Sequence, residues 1–560
     1  MKKKALALLL GCCMTVTLFG CGNQAEKGST DAKSESLSTE AGTTSTAGTN
    51  TEGAQEEIDY AFGAYEKTVK IKTAGSEKAS AIYPEGDSLT NNVWIRDYKD
   101  KLNIELEYDW VSDEYSTKLN LAIASGNLPD VFTVSESQMK ELMEANLIWD
   151  LSEIFDQYAS DTMKELRNQN EDIFQTAIFD DALYGIPELH NGDISQINYV
   201  WIRNDWKEEL NLADPETMDD VVDICLAFME NYDSYGLCFD RSLKRLLNMA
   251  PAWQAYPGMW VTGEDGSIVY GSVQEEMKDA LAAWADWYQQ GIINSDFAIA
   301  DSAKVTERAV SGEFGVMVWP SYWGYSPGNN VVKNLGADAI FYPYEIPSAT
   351  GEDVLAPITF SNSKYTVVSK KCENPEAAIK MLNYYEYMLT DAYGDGVPYD
   401  EIVSHTANNM MHVVPFRILD TNKEVDQFAA VSSAVATGDT STLTASFHWE
   451  VYDATMDWLE EQEPDAGLGA YLQHGAGEKA AYGVASKILE EDRILKTRLW
   501  GSSPEELSNY GSTLDDLLRE GFTKIIMGEE SIDYFDTLVE NWKTAGGDAA
   551  TKAVNEMYGK

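Results

Sequence analysis

Apolar and charged residues alternate in two early segments of the chain, and a short apolar run follows them. The alternating segments are V-K-I-K at 69–72 and I-E-L-E-Y-D-W at 104–110. Successive side chains of a β-strand point to opposite faces, so this alternation predicts two strands, each with one buried face. The run V-F-T-V at 131–134, which follows Pro-Asp, predicts a third strand.

Helical stretches lie between and after these strands. They cover residues 89–102, 114–125 and 135–145. The second stretch ends in S-G-N-L-P-D, where Gly126 can adopt a left-handed cap and Pro129 prevents continuation. The third begins at Ser135, which has the spacing of a capping box with Gln138. The alternation of strands and helices predicts an α/β fold with a parallel sheet covered by helices.

Further helices are predicted downstream. Apolar residues recur at helical intervals over 273–288, and Gly291 ends that stretch. The segments N-P-E at 374–376 and S-P-E-E at 503–506 each place a proline where a helix begins.

In an open α/β sheet, ligands bind beyond the carboxyl ends of the strands. Residues 134–137, which follow the third predicted strand, are therefore the first place to look for a ligand.

The N-terminus has the pattern of a secretion signal. Met1–Lys4 is positively charged and Ala5–Gly20 is apolar but too short to span a bilayer, so residues 1–20 are predicted to be a signal peptide. The L-F-G-C box that ends at Cys21 resembles that of bacterial lipoproteins, which implies cleavage before Cys21 and a lipid on it. Residues 22–57 are rich in Ser, Thr and Gly, so we expect a disordered tether after the lipidated cysteine. The protein would then face the outside of the cell membrane.

The length and net charge of the chain limit the number of domains and the classes of partner that we expect. The chain has 560 residues, which suggests more than one domain, and a formal net charge of −52. Such a surface repels phosphates and anionic lipids, so we expect no nucleic acid partner and no membrane contact except through the lipid. Outside the N-terminal 21 residues there are three cysteines, too few for a disulfide framework. Cys225 fits a core position, and a Cys225–Cys238 bridge stays open.

Several segments together resemble a known family. The first is L-N-L-A-I-A-S-G-N-L-P-D-V-F at 119–132, and others follow in the family's order, among them L-Y-G-I-P at 183–187, W-I-R-N-D-W at 201–206 and G-E-F-G-V-M-V-W-P at 312–320. The chain resembles extracellular solute-binding protein family 1 of ATP-driven (ABC) importers, over residues 65–558. Each segment alone is a weak signal, but their shared order is a strong one.

The resemblance implies a two-lobed α/β fold of the periplasmic-binding-protein type II class, with a hinge between the lobes. We expect lobe 1 at 58–195 plus 360–425 and lobe 2 at 196–359 plus 426–560. In relatives the closed lobes hold a carbohydrate and deliver it to the permease subunits of an ABC transporter. We therefore expect an oligosaccharide receptor that is a monomer and needs no cofactor.

The subgroup of long chains, which includes receptors for uronate polymers, often carries a calcium loop. In this chain the matching stretch 231–240 lacks regularly spaced carboxylates, so no metal site is predicted there.

Aromatic residues are the leading candidates for sugar binding, because a sugar ring has apolar faces that stack on flat side chains. The segment W-P-S-Y-W-G-Y at 319–325 matches a stacking region of relatives and supplies Trp319, Tyr322 and Trp323. The alternative is that these rings belong to the core or to the contact between lobes. Replacing Trp323 by alanine is expected to weaken binding with little loss of stability. A second cluster supplies Trp253 and Trp260.

Polar candidates follow from the same resemblance. Ser135, Glu136 and Ser137 come after the third predicted strand, where relatives bind sugar, although they could equally cap the next helix. Glu188 and His190 match the approach to the first crossing between lobes. Arg203 could hold a uronate or pair with a carboxylate.

Signatures of other chemistry are weak. His405 and His412 have no ligand partners at zinc spacing, and the chain contains no G-x-S-x-G, phosphate-binding glycine loop or H-E-x-x-H. Capture without chemistry is therefore the leading function. The alternatives are a surface-tethered glycoside hydrolase or polysaccharide lyase, which needs two carboxylates across a cleft, and a surface adhesin.

Overall fold

The computed structural model describes residues 59–77, 83–189, 192–360, 364–406, 410, 413–462, 464–465, 467–501 and 503–559. The predicted signal peptide, the lipidated Cys21 and the tether lie outside the described residues. His190 and His412 also lie outside them. No helix within the described ranges is long and apolar enough to cross a membrane.

The strands are short and spread along the chain. They are β1 Val69–Ser76, β2 Ile104–Ser112, β3 Val131–Val134, β4 Ile178–Phe179, β5 Ala182–Leu183, β6 Ile186–Pro187, β7 Asn198–Arg203, β8 Trp260–Thr262, β9 Ile268–Tyr270, β10 Val316–Pro320, β11 Phe341–Tyr344, β12 Ala356–Ile358, β13 Tyr365–Val368 and β14 Ile494–Lys496.

Helices cover most of the remaining described chain. They are α1 Val93–Leu102, α2 Tyr115–Ser125, α3 Glu136–Glu144, α4 Ser152–Tyr158, α5 Asp161–Gln169, α6 Glu171–Gln175, α7 Asn204–Glu209, α8 Met218–Asn231, α9 Lys244–Leu247, α10 Glu276–Gln289, α11 Ser302–Ser311, α12 Gly328–Leu335, α13 Glu376–Leu389, α14 Tyr399–Thr406, α15 Lys423–Thr437, α16 Ser446–Glu461, α17 Gly467–Ala470, α18 Ala481–Glu490, α19 Glu505–Ile526, α20 Tyr534–Trp542 and α21 Asp548–Tyr558.

The early elements agree with the sequence prediction. β1, β2 and β3 form where the alternation and the apolar run predict them, and β3 has the predicted bounds. Gly126 caps α2 with a φ of 65°, the left-handed conformation that glycine adopts without strain. α13 and α19 begin directly after Pro375 and Pro504, as predicted. α1 is shorter than predicted, since it begins at Val93 rather than at residue 89.

The sheets are only partly parallel. β1 and β2 pair in parallel from Val69 opposite Ile104, which confirms that part of the prediction. β3, however, pairs antiparallel with β13, which in turn pairs antiparallel with β6. β13 returns from more than two hundred residues downstream, so its direction could not be read from the local pattern around β3.

The first hydrophobic core is built from two distant stretches of chain. It takes buried residues from Ile71 to Leu189 and again from Tyr365 to Ile418. α13 runs through it and is buried on nearly all sides. This helix ties the two stretches together, because residues of both pack around it.

β7 separates two further cores. Alternate residues of a strand face opposite sides. Val200 and Ile202 therefore belong to one core, which also takes α8, α10 and α19. Tyr199 and Trp201 belong to another, which also takes β10, α18 and the 319–325 turn. β7 is buried on both faces between its antiparallel neighbours β10 and β11.

The cysteines form no bridge in the described chain. Cys225, Cys238 and Cys372 are free and buried. Burial raises the pKa of the Cys225 thiol, and it raises the pKa of Cys238 to about 11 although the guanidinium of Arg308 lies nearby. The open possibility of a Cys225–Cys238 disulfide is therefore not realised, and Cys225 occupies the core position that its apolar neighbours indicate.

Candidate functional site

A cavity of about 320 Å³ opens where β1 and β3 end and β13 begins. Its size falls at the lower end of the range of small-molecule sites. The lining residues are Ala74, Gly75, Ser76, Tyr83, Leu89, Tyr108, Tyr115, Ser116, Thr133, Val134, Ser135, Gln138, Glu188, Lys364, Tyr365, Thr366, Val413, Val414, Pro415 and Arg417. The cavity therefore combines aromatic rings, hydroxyls and a small charged cluster.

Strand register brings the polar ends of the strands together. Tyr365 lies opposite Val134 and Thr366 lies opposite Thr133, so the start of β13 meets the end of β3. A ligand is expected at residues 134–137, and of these Val134 and Ser135 line this cavity. The carboxyl end of β3, where a ligand is expected, thus forms one wall of the cavity.

Ser135 also caps α3. Its hydroxyl accepts a hydrogen bond from the Gln138 N–H at 3.3 Å, and the Gln138 side chain accepts one from the Ser135 N–H at 3.0 Å. This reciprocal pair is the predicted capping box. Ser137 is exposed and shares a 3.0 Å hydrogen bond with Ser135. Glu136 and Ser137 are not among the described residues that line the cavity.

Tyrosines supply the aromatic walls. The Tyr115 hydroxyl donates to the Thr133 carbonyl at 2.9 Å, and the Tyr365 and Thr176 hydroxyls are 2.6 Å apart. The Tyr108 hydroxyl is buried and has no hydrogen-bond partner within the described chain. These rings were not among the binding candidates expected from the sequence. The alternation at 104–110 identified Tyr108 only as a strand residue.

A charged cluster closes one end of the cavity. The carboxylate of Glu188 accepts from the guanidinium of Arg417, and Lys364 Nζ lies 4.0 Å from the same carboxylate. The Glu188 N–H donates to the Lys364 carbonyl at 3.0 Å, and the Leu419 N–H donates to the Glu188 carbonyl at 2.8 Å. Glu188 follows β6, Lys364 precedes β13 and Arg417 precedes α15. The cluster therefore joins three segments that lead from the first core toward the others.

The aromatic turn at 319–325 lies apart from this cavity. Trp323 is fully buried, with its ring centroid 5.2 Å from Phe341 and 6.3 Å from Trp201. The structure favours the core alternative for this ring, and burial of this extent predicts a large loss of stability on its removal. Tyr322 is the ring of the three predicted candidates with a large open surface, at 50% exposure.

Trp319 is covered by an arginine. The Arg245 guanidinium lies 3.8 Å from the centre of the Trp319 ring, and Asp240 holds that guanidinium at 2.7 Å. Trp319 itself is 6% exposed. A sugar could stack on this face only after Arg245 has moved. Arg245 was not a sequence candidate, because nothing in L-K-R-L-L connects it with the 319–325 turn.

The remaining candidates have different surroundings. Trp253 is buried against Trp284 and Trp287, with centroid separations of 5.9 and 5.7 Å, as a core residue would be. Trp260 is also buried but lines a second cavity, of about 280 Å³. Arg203 is 9% exposed and makes two 2.8 Å hydrogen bonds to Asp205, which favours the ion-pair alternative.

A wider groove lies elsewhere, on the surface between β11, α18 and the 348–354 loop. Its volume is about 1170 Å³, and carboxylates greatly outnumber cations along it. It lies away from the carboxyl ends of β1 and β3, so it does not share the position that the strand-end rule assigns to a ligand. Among the described residues, no group of three or more His, Cys, Asp or Glu side chains could hold a metal ion.

Comparison with known proteins agrees with this architecture. Lipoprotein LipO of Bacillus subtilis is 24% identical over 489 residues, which cover 81% of this chain and 86% of LipO. The polygalacturonan/rhamnogalacturonan-binding protein YtcQ of the same organism is 26% identical over 500 residues, 83% of this chain and 87% of YtcQ.

Among solved structures, an ABC-transporter-associated solute-binding protein from Bifidobacterium longum infantis superimposes with a TM-score of 0.56 at 14% identity. The match covers 88% of this chain and 99% of that one. The protein thus has the two-lobed α/β fold of the periplasmic-binding-protein type. The sequence profile of the bacterial extracellular solute-binding proteins matches residues 84–392, more than half of the chain. The chain belongs to the family of bacterial extracellular solute-binding proteins.

Proposed function

We propose that this protein captures an oligosaccharide between its lobes and releases it unaltered to the permease of an ABC importer. The cavity at the ends of β1 and β3 carries the proposal, because it holds tyrosine rings, hydroxyls and a charged cluster in one place. The second lobe would close over this cavity by hinge motion. The lobe limits proposed are those expected from the sequence, 58–195 plus 360–425 and 196–359 plus 426–560.

The chemistry of the lining suits a carbohydrate. Tyr83, Tyr108 and Tyr115 offer faces or edges to the apolar side of a sugar ring, and the hydroxyls of Ser76 and Thr133 can meet its rim. Arg417 and Lys364 outnumber the carboxylate of Glu188 at the charged end. This excess of positive charge, in a strongly acidic protein, suits a ligand that carries carboxylates as well as hydroxyls.

The relatives support the proposal. YtcQ is named for binding polygalacturonan and rhamnogalacturonan, polymers that contain uronate, and it covers most of this chain. The name of LipO supports anchorage through lipid, which here would be attached to Cys21 after removal of residues 1–20. We propose a monomeric receptor at the outer face of the cell membrane, with the lipid as its membrane contact.

The enzyme alternative finds less support. A glycoside hydrolase needs two carboxylates about 5 to 10 Å apart across its cleft, one of them able to donate a proton. Among the described residues that line the 320 Å³ cavity, Glu188 is the single carboxylate, and it is paired with Arg417. The pair of carboxylates that hydrolysis requires is therefore absent from the described lining, which favours capture over catalysis.

Binding with matched variants tests the proposal. The mature chain would be titrated by calorimetry with oligogalacturonides, fructo-oligosaccharides and human milk oligosaccharides. We expect 1:1 binding of at least one class, weakened by Tyr115→Ala in the cavity and unchanged by Arg519→Gln, which removes an exposed ion pair of α19. Binding that ignores Tyr115→Ala would move the site away from this cavity.

A further inference from the structure

The second cavity, lined by Trp260, lies beside residue 360, where the proposed lobes join. Its volume is about 280 Å³. β12 and β14 run in parallel beside it, and the residues that follow both strands contribute to its wall. It is separate from the 320 Å³ cavity, because the two share no lining residue.

Three aromatic rings form one side of this cavity. Tyr270 stacks on Trp542 with the centroids 5.6 Å apart and the planes 7° from parallel, and it contacts Trp260 at 5.1 Å. The Tyr270 hydroxyl donates to Asp515 at 3.1 Å. Asp515 therefore stands beside an aromatic platform, as an acceptor for hydroxyl groups does in a carbohydrate site.

Trp542 carries a buried donor without a partner. The side chain is 2% exposed, and its indole N–H makes no hydrogen bond within the described chain. Buried donors in folded proteins nearly always have an acceptor, so a ligand that offered one to this N–H would be stabilised. Because Trp542 lines the cavity, a hydroxyl oxygen of a bound sugar is a suitable acceptor.

Gly501 brings the wall of this cavity against the first lobe. A Cβ built on Gly501 would lie 3.3 Å from Thr176 Cγ2 and 3.8 Å from a carboxylate oxygen of Glu136. The Thr176 hydroxyl shares its 2.6 Å hydrogen bond with Tyr365, which lines the first cavity. Thr176 thus stands between the two cavities at this point.

The charge of the residues that line this cavity determines whether a neutral or a charged sugar can bind in it. Asp515 is the one charged side chain among the described residues that line this cavity, and no cation faces it from the lining. An unpaired carboxylate repels a uronate but accepts hydrogen bonds from the hydroxyls of a neutral ring. The first cavity has the opposite balance, with Arg417 and Lys364.

We propose that the Trp260–Tyr270–Trp542 cavity is a second carbohydrate site, specific for a neutral sugar unit. The inference rests on the proposed function of carbohydrate capture and adds a site of different charge preference to it. The rims of the Trp260, Tyr270 and Trp542 rings supply the apolar surface, Asp515 accepts from the sugar hydroxyls, and the Trp542 N–H donates to a sugar oxygen.

Fluorine NMR of the full mature chain labelled with 5-fluorotryptophan tests this site. The Trp542 signal is assigned with Trp542→Phe, and the probes are galactose, glucose, rhamnose and fructose, each up to about 50 mM. Galacturonate serves as the charged counterpart of galactose. We expect a saturable shift of the Trp542 signal with at least one neutral sugar and none with galacturonate.

Neighbouring aspartates supply the matched pair of variants. Asp515→Asn should weaken the response about fivefold or more, because it removes a charged acceptor. Asp516→Asn, whose carboxylate pairs with Arg519 outside the cavity, should leave the response within about twofold. No saturable shift with any of the four sugars, an equal shift with galacturonate, or equal effects of the two variants would each overturn the proposal.

Failure of the second-site proposal can be distinguished from failure of the proposed carbohydrate capture in the first cavity. Loss of the Trp542 response together with Tyr115-dependent binding of an oligosaccharide overturns this second site alone. A Trp542 response without Tyr115-dependent binding supports the second site and removes the assignment of the first cavity.

Discussion

Arg417 donates a charged hydrogen bond to Glu188 at the point where three segments leave the first core. Both side chains are mostly buried, with 22% and 16% of their surfaces exposed. In the proposed function, a ligand that reaches this pair would contact segments that run toward the proposed second lobe. The pair would then link occupancy of the cavity to closure of the lobes.

Replacing Arg417 by glutamine tests that link. We expect oligosaccharide affinity to fall about tenfold or more, because a cationic donor is lost beside a carboxylate that stays behind. Stability should fall by about 1.5–3 kcal/mol, the range for hydrogen bonds to charged groups. Calorimetry and urea unfolding measure the two effects, with Arg519→Gln as the exposed control. Unchanged oligosaccharide affinity in the Arg417 variant would show that the Arg417–Glu188 pair does not contribute to binding.

Trp323 and Tyr322 should respond to alanine in opposite ways. Trp323→Ala leaves a large hole in a closed core and is expected to cost about 3–5 kcal/mol of unfolding free energy. Tyr322→Ala removes a half-exposed ring and should cost far less. Urea denaturation of both variants measures the difference. A smaller loss of stability for Trp323→Ala than for Tyr322→Ala would mean that the turn is packed differently.

Glu386 should make stability fall as pH rises. The carboxyl lies within α13 at 2% exposure, and burial raises its pKa to about 8, although the Thr390 hydroxyl donates to it. The carboxylates of Asp391 and Asp420 raise the pKa further. In the unfolded chain the group ionises near its ordinary value of about 4.3. Its contribution is therefore complete below that value and is lost progressively up to about pH 8.

A Glu386→Gln variant isolates this effect. Relative to the parent chain, the variant should gain stability between pH 5 and pH 8, by about 1.4 kcal/mol for each pH unit within the window. Urea unfolding at several pH values gives the difference. A difference that stays constant across this range would show that Glu386 is already ionised in the folded protein.

Local patterns in the sequence predicted several elements between residues 69 and 144. The strand 131–134, the cap at Ser135 and the left-handed Gly126 depend on neighbouring residues alone, and all three are confirmed. Ser135 also led to one wall of the cavity. The other wall could not be predicted, because Lys364 and Arg417 arrive from segments more than two hundred residues away.

The aromatic turn at 319–325 is a case in which the sequence pattern led to the wrong expectation about burial. Tryptophan and tyrosine among proline and glycine suggested an exposed platform at 319–325. β10, which leads into the turn, is buried on both faces because cores pack against each side of it and of β7. Composition cannot reveal that second layer of packing, and so Trp323 entered the candidates while Arg245, which covers Trp319, did not.

The most direct test of capture without chemistry follows both partners of one binding reaction. The mature chain is mixed with the oligosaccharide that binds best, its melting temperature is recorded, and the sugar is recovered for mass spectrometry. At one hundred times the dissociation constant we expect stabilisation of about 2.7 kcal/mol and a sugar of unchanged mass and length. Shortened or unsaturated products would contradict the account and identify an enzyme.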